Sequence, residues 1–386
     1  MTIDDAVARA STANLELNAA RKDLDVAAAN LTRSKAWFPA NPFFSAGSQH
    51  TSQSGLGPNY ILYLSQELEV GGQRTRRIDA ATEGTEKAMW DVKMAEGNLA
   101  ANVKVAFVRA LIAADRVVLA HQGLDTAVQV SSTLAQEHRV ADQCHFDLNA
   151  AKIQESRARR DLGTAERTRD GALGTLRRLL ELPIDQEIEL AGAPQTSATA
   201  LPPDAELLER ALHQRADLLA LRQAVGRSEA QLALTQRQAI PNITLSATYS
   251  RFEGDTLAGG DIGVSLPIFQ RKAGDVQEAI AERERAALEV QNLERAITQQ
   301  VIDARRACTD AAADMQTFTR DIIPKNEENL QIERRLTAKG DAGVADMIGV
   351  QIDLLTARGE HLDALQTYNE SLIELERVTG GSIEPR

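Results

Sequence analysis

Aromatic residues make up only 4% of this 386-residue chain. Large globular cores draw much of their buried area from Phe, Tyr and Trp, so a core of that kind is excluded. The hydrophobic content of 43% is carried largely by Ala, which suits long helices packed closely side by side. Proline is missing from Asn59 to Leu182, from Ile268 to Ile323 and from Lys325 to Glu384. An interior proline costs a helix about 3 kcal/mol, so these runs permit very long helices. No stretch reaches the roughly 18 apolar residues of a membrane-spanning helix. Two cysteines, Cys144 and Cys308, are too few for a disulfide framework. A formal charge of −12 with no basic stripe disfavours nucleic acid, and none is expected as a partner. It suits either an acidic solvated exterior or a surface that draws cations. The N-terminus, Met1-Thr2-Ile3-Asp4-Asp5, has neither the basic start nor the apolar segment of a signal peptide. Taken literally that places the protein in the cytoplasm, but the chain opens inside an amphipathic helix, so the expectation is a truncated or misplaced start.

What the chain does contain, it contains twice. Trp37-Phe38-Pro39-Ala40-Asn41-Pro42 precedes a β-like stretch that ends in Leu64-Ser65-Gln66-Glu67-Leu68-Glu69-Val70-Gly71-Gly72-Gln73-Arg74. Further on, Ala239-Ile240-Pro241-Asn242 precedes a second such stretch that ends in Val264-Ser265-Leu266-Pro267-Ile268-Phe269. A period of half the chain means one duplicated unit rather than a solenoid of short repeats. The expected division is a first repeat over 1–182, a linker over 183–204 and a second repeat over 205–386. Each repeat reads as helix, β-hairpin (about 41–69 and 242–269), then a long helical hairpin.

The helical spacing is explicit in Val290, Leu293, Ile297, Val301 and Ala304, which share one face. Ile348, Leu355 and Leu362 recur at seven, as do Leu365 and Leu372, which is the pattern of a coiled coil. In the β-like stretches, Ile243, Leu245, Ala247 and Tyr249 alternate with Thr244, Ser246, Thr248 and Ser250. Ile262, Val264, Leu266 and Ile268 continue the pattern, after a loop expected over Glu253–Gly260. Phe43–Thr51 and Tyr60–Leu68 supply the first pair, with Tyr60, Leu62, Leu64 and Leu68 on one face. Such alternation gives a sheet with one apolar and one polar face.

Four strands cannot close into a barrel, and an open sheet leaves two unpaired edges. Pooling strands from three chains would give twelve, an even number in the range of membrane barrels. The alternative is a soluble coiled-coil scaffold or adaptor-like protein in which each hairpin caps its own helices.

Several segments stand in order along nearly the whole chain: Ile3-Asp4-Asp5-Ala6-Val7-Ala8-Arg9-Ala10 with Asn14-Leu15-Glu16-Leu17, and Arg215-Ala216-Asp217-Leu218 with Ala239-Ile240-Pro241-Asn242-Ile243. Gly263-Val264-Ser265-Leu266-Pro267-Ile268-Phe269 and Leu375-Glu376-Arg377-Val378-Thr379-Gly380 complete the set. Taken together, they resemble the TolC-type outer-membrane efflux proteins. Glu67-Leu68-Glu69-Val70-Gly71-Gly72-Gln73-Arg74 looks most like the heavy-metal resistance branch, which serves cobalt, zinc, cadmium, copper or silver pumps.

The resemblance implies a mainly α protein with a small β part and four strands per chain. The homotrimer would form an α-helical barrel in the periplasm, continued by a 12-stranded transmembrane β-barrel surrounded by outer-membrane lipid. Its partners would be a periplasmic adaptor and an inner-membrane efflux pump, and it would need no cofactor. The resemblance also places the gate at the two turns far from the membrane. In the second repeat these residues are Gly340, Asp341 and Asp346, with Asp346 where the family can set a ring of acidic side chains. Close carboxylates repel each other and select cations. Gly349 stands where a second Asp can occur, and Ala342 where a basic residue sometimes occurs, so neither a double ring nor a latch is implied. In the first repeat the corresponding residues are Asp142 and Asp147, with Asp142 in place of the usual Gly. His138, Cys144 and His145 lie nearby, but adjacent Cys and His on a helix point about 100° apart and match no zinc spacing. No metal site and no catalytic constellation is expected; Gly71-Gly72 and Gly259-Gly260 lack the context of a phosphate loop.

Overall fold

The computed structural model describes residues 1–49, 59–137, 142–252, 255–339 and 343–383. In chain order these form α1 (Ile3–Ala13), α2 (Leu15–Ser34), β1 (Phe43–Gln49), β2 (Asn59–Leu68), α3 (Gln73–Glu137) and α4 (Asp142–Leu179). Then follow α5 (Asp204–Gln214), α6 (Ala216–Gln238), β3 (Ile243–Phe252), β4 (Asp255–Val264), α7 (Ala273–Thr317), α8 (Ile323–Lys339) and α9 (Val344–Thr379). A five-residue π-turn, Phe318–Ile322, joins α7 to α8. The 65 residues of α3 extend about 100 Å at 1.5 Å each.

Local chemistry sets the helix starts and breaks. Thr2 and Asp5 cap α1 reciprocally, with Asp5 N–H donating to Thr2 Oγ1 at 3.2 Å and Thr2 N–H to Asp5 Oδ2 at 2.9 Å. Asn14 interrupts the helix in extended geometry, and its Oδ1 accepts the Leu17 N–H at 3.0 Å to start α2. Arg215 is also extended and breaks α5 from α6, without a side-chain cap of that kind. The π-turn has an equally concrete cause. Pro324 has no N–H to give and its ring crowds the preceding turn, and just before it the Ile323 N–H reaches Phe318 O, one residue beyond the α-helical partner.

The chain folds into two compact units that do not follow the two sequence halves. One comprises 1–19, 94–215 and 296–386; the other comprises 20–93 and 216–295. The all-helical unit is packed with small and aliphatic side chains: Ala106, Phe107, Ala110 and Ile112 of α3, Leu207 of α5, Ile297 and Val301 of α7, Leu375 and Val378 of α9. Three ion pairs join α3 to α9, Lys104–Glu376 (2.6 Å), Arg109–Glu370 (2.7 Å) and Arg116–Asp363. The α9 numbers fall as the α3 numbers rise, so the two helices run antiparallel. The segment expected to be a linker is pinned to α9. Asn369 exchanges hydrogen bonds with the Gln195 backbone, and Tyr368 Oη accepts the Thr199 N–H at 3.0 Å and donates to Ser197 O at 3.2 Å.

The other unit carries one antiparallel sheet in the order β1-β2-β3-β4. Both hairpins are present, and β2 pairs with β3 from Tyr60↔Arg251 to Leu68↔Ile243. Two boundaries differ from expectation. The polar stretch read as a loop is mostly strand, with Thr256 opposite Arg251 and Gly259 opposite Thr248. Backbone pairing needs no apolar side chain, and the missing Cβ of Gly260 leaves room beside Ser246 O, which would lie 3.3 Å from it. Conversely, β4 stops at Val264 rather than continuing to Ile268. Pro267 cannot donate to a ladder, and Ile268 N–H turns back to Leu266 O. The expected end of β1 at Thr51 lies outside the described residues.

Candidate functional site

The pairing register sorts the sheet into two chemically different faces. Phe44, Leu62, Leu64, Leu245, Tyr249 and Ile262 fall on one face, along with Ala46, Ala247, Ala258 and Gly260. Ser45, Ser65, Thr244, Ser246, Thr248 and Asp261 fall on the other, which is mainly polar but also carries Phe43, Ile61, Tyr63, Phe252 and Leu257, just as the first also carries Gln66 and Arg251. The polar face carries its own hydrogen bond, Ser246 Oγ to Asp261 Oδ2 at 2.6 Å. On the apolar face Tyr60 and Tyr249 stack at 6.2 Å. Ile262 is 72% exposed, Phe44 63% and Leu64 48%, so among the described residues nothing covers these side chains. A contiguous apolar surface of this kind marks contact with a membrane or a partner.

Where the strands meet the helices the backbone is tightly clamped. Gln73 is buried, accepting the Gly71 N–H at 2.7 Å and donating to Ile240 O at 3.0 Å and Asn242 Oδ1 at 3.2 Å. Asn242 in turn donates to Glu67 Oε1 at 2.8 Å. Any Cβ on Gly71 would sit 2.9 Å from that of Ile240, and Gly72 has φ 77°, so the Gly-Gly pair is a steric requirement. Arg74 and Arg77 donate to the carbonyls of Ser34, Lys35 and Ala36 at the end of α2, and Arg77 also pairs with Glu69. The Arg74 guanidinium stacks 4.5 Å from the exposed Trp37 ring. Sequence reading quoted Gly71-Gly72-Gln73-Arg74 for its resemblance but missed its role as a clamp; the signal was the pair of Arg residues at helical spacing after Gly-Gly.

The gate candidates are less fully defined. Asp346 is exposed in the first turn of α9, and its Oδ2 accepts the Gly343 N–H at 3.2 Å. Gly340 and Asp341 lie outside the described residues. Asp142 and Asp147 fall in the first turns of α4, described by backbone alone. The structure therefore does not bring these five residues into one described arrangement. Among the described residues no group of His, Cys, Asp or Glu is placed to hold a metal ion. Near these turns, Val130 and Leu134 of α3 and Ala151 of α4 form a small apolar cluster with Met347 and Ile348 of α9. Beside it, a cavity of about 300 Å³ opens between α3, α4 and α9.

Residues 207–381, which include β3, β4 and the helices after them, match the family described as outer membrane efflux protein. Over that stretch the chain is similar to that family. It is 25% identical to the cobalt-zinc-cadmium resistance protein CzcC of Cupriavidus metallidurans, over 98% of this chain and 90% of the relative. In fold it is similar to the open state of the MtrE outer membrane channel of Neisseria gonorrhoeae. That match has a TM-score of 0.85 at 19% identity and covers 99% of this chain and 89% of the other. It is also similar to CusC, with a TM-score of 0.80 at 16% identity, covering 98% and 92%.

Proposed function

We propose that this protein is the outer-membrane exit duct of a tripartite efflux system. The observation that carries the reading is a single four-stranded sheet with one exposed apolar face, one polar face and two open edges. A homotrimer closes three such sheets into a twelve-stranded barrel. Its apolar face meets lipid and its Ser/Thr/Gly face lines water. The long helices continue the duct into the periplasm, where their far turns meet an adaptor that links them to an inner-membrane pump. Asp346, with Asp341 beside the turn glycine Gly340, supplies acidic groups at the closed tip, and Asp142 and Asp147 supply them from the first half. The duct conducts passively and performs no chemistry; the pump provides the energy. Heavy-metal cations are the candidate cargo, a reading supported by the similarity to CzcC and by the net charge of −12. The two halves descend from one duplicated unit, consistent with an element order that runs helix, helix, strand, strand, helix in each.

The test is native mass in mild detergent, on protein exported behind a fitted signal peptide and recovered from outer membranes. A detergent-dependent trimer of three 41.9 kDa chains is expected. A monomer or dimer that is indifferent to detergent would replace the duct with the soluble scaffold.

A further inference from the structure

The all-helical unit holds a titratable side chain that the duct does not use. His361 lies on α9, its ring centroid 6.3 Å from that of Phe318 in the π-turn, and the two rings are tilted by 47°. Its Nδ1 is buried without a hydrogen-bond partner. Burial holds the imidazole below the usual histidine range. The element it packs on is the one place where the α7–α8 helix departs from α-helical hydrogen bonding, and Pro324 prevents that departure from annealing. A weakened turn and a half-buried imidazole with an unpartnered Nδ1 therefore share one contact.

We propose that His361 and the π-turn Phe318–Ile322 form a proton-sensitive hinge in the second helical hairpin, closed when the imidazole is neutral and loosened when it is charged. Protonation places a charged ring, with a buried N–H lacking an acceptor, against Phe318; that is unfavourable unless the contact opens to water. The charged groups on the surrounding elements do not offset this. On α9, Arg358 pairs with Glu327 of α8 at 2.8 Å, and Asp363 pairs with Arg116 of α3. On the π-turn, Asp321 lies 3.5 Å from Lys325. Arg320 of the π-turn and Glu360 of α9 are further charged residues on the same two elements, and no hydrogen bond joins any of these groups to Nδ1. The direction follows from linkage. In the opened hinge the imidazole titrates near its ordinary value of about 6.5, and in the closed hinge lower. As pH falls through that window the open form binds the proton first, so acid favours opening, by at most about tenfold per pH unit.

Hydrogen exchange of the full chain in detergent, corrected for intrinsic pH dependence, tests this without requiring the protein to conduct anything. Peptides over 315–328 and 355–365 should lose roughly threefold to tenfold protection between pH 7.5 and 5.5, while peptides over 94–115 stay level. His361→Phe should remove that loss. Because the variant can itself repack, His361 of the wild type is also titrated by NMR. It should titrate below the ordinary histidine value of about 6.5. Level protection in the wild type, a loss that persists in His361→Phe, or a His361 titration at or above that ordinary value would each overturn the hinge.

Discussion

Arginine placed at Leu64, and in a second variant at Ser65, separates the two faces of the sheet by a single residue of β2. Leu64 stands between Phe44 and Ala247 on the apolar face; Ser65 stands between Phe43 and Ser246 on the polar one. Successive strand residues point to opposite sides, so the backbone burden of the two substitutions is the same. If lipid covers the apolar face, a charge near the middle of a ten-residue strand costs about 2–4 kcal/mol. At 1.4 kcal/mol per tenfold, that is roughly a 30- to 700-fold loss in the equilibrium for the folded barrel. Ser65→Arg faces water and should fall within about 0.5 kcal/mol of wild type. The assay is reversible guanidinium unfolding of the protein in lipid vesicles, followed by far-UV circular dichroism. A Leu64→Arg midpoint equal to that of Ser65→Arg would refute a lipid-facing apolar side, however the strands are closed.

Four further outcomes follow from the same geometry. Tyr368→Phe deprives the Thr199 N–H of its acceptor and should cost about 1–3 kcal/mol in unfolding experiments, with faster proteolysis across 190–200. Burial raises the Glu370 pKa, but hydrogen bonds from Arg109 and Gln366 outweigh it, so the carboxyl titrates below its ordinary value. Its stabilisation is present above about pH 4.3 and is lost as pH falls through the folded value. Because Arg109 is half exposed the effect should stay under about 1 kcal/mol, and Glu370→Gln should flatten the acid limb of the stability curve by that amount. Gly380 ends α9 at φ 86°, and an added Cβ would lie 3.0 Å from the Gln214 backbone, so Gly380→Ala should cost at least about 1–2 kcal/mol by denaturant midpoint. Asp346→Asn should weaken cation selectivity in planar bilayers; unchanged reversal potentials across a salt gradient would remove Asp346 from the gate.

The helices and the sheet were legible because each has a period that a single sequence displays. Ile297, Val301 and Ala304, chosen for spacing alone, are buried. The alternation from Ile243 to Tyr249 maps onto one face. What the sequence concealed was backbone-driven. Asp255–Gly260 has loop composition, yet it pairs because β3 offers it a complete ladder. The clamp on Gln73 depends on Ile240 and Asn242, more than 160 residues away, and no local pattern announces such a contact. The segment 183–204 looked like a free linker because its anchors, Tyr368 and Asn369, belong to the last helix. The π-turn was foreshadowed only by Pro324, which marks a bend without specifying its hydrogen bonding.

The edges of the sheet carry the argument for assembly further than its faces do. Proteins that keep an open sheet soluble guard its edges with Lys, Pro, bulges or short strands. β1, Phe-Phe-Ser-Ala-Gly-Ser-Gln, has no charge and no proline, and every residue of it is exposed. β4 is ten residues long, and its two acidic side chains, Asp255 and Asp261, both fall on the polar face rather than guarding the apolar one. Among the described residues, neither edge strand carries a Lys or a Pro. Because every neighbouring pair is antiparallel, β1 and β4 run in opposite directions, so β4 of one copy can accept β1 of the next without breaking the alternation. Such a head-to-tail contact either closes into a ring or propagates as a fibre. The right-handed twist of the strands turns successive sheets in one sense, and twelve antiparallel strands form a closed membrane barrel. On the proposed duct reading, closure with further copies of this chain is the outcome that leaves no edge exposed.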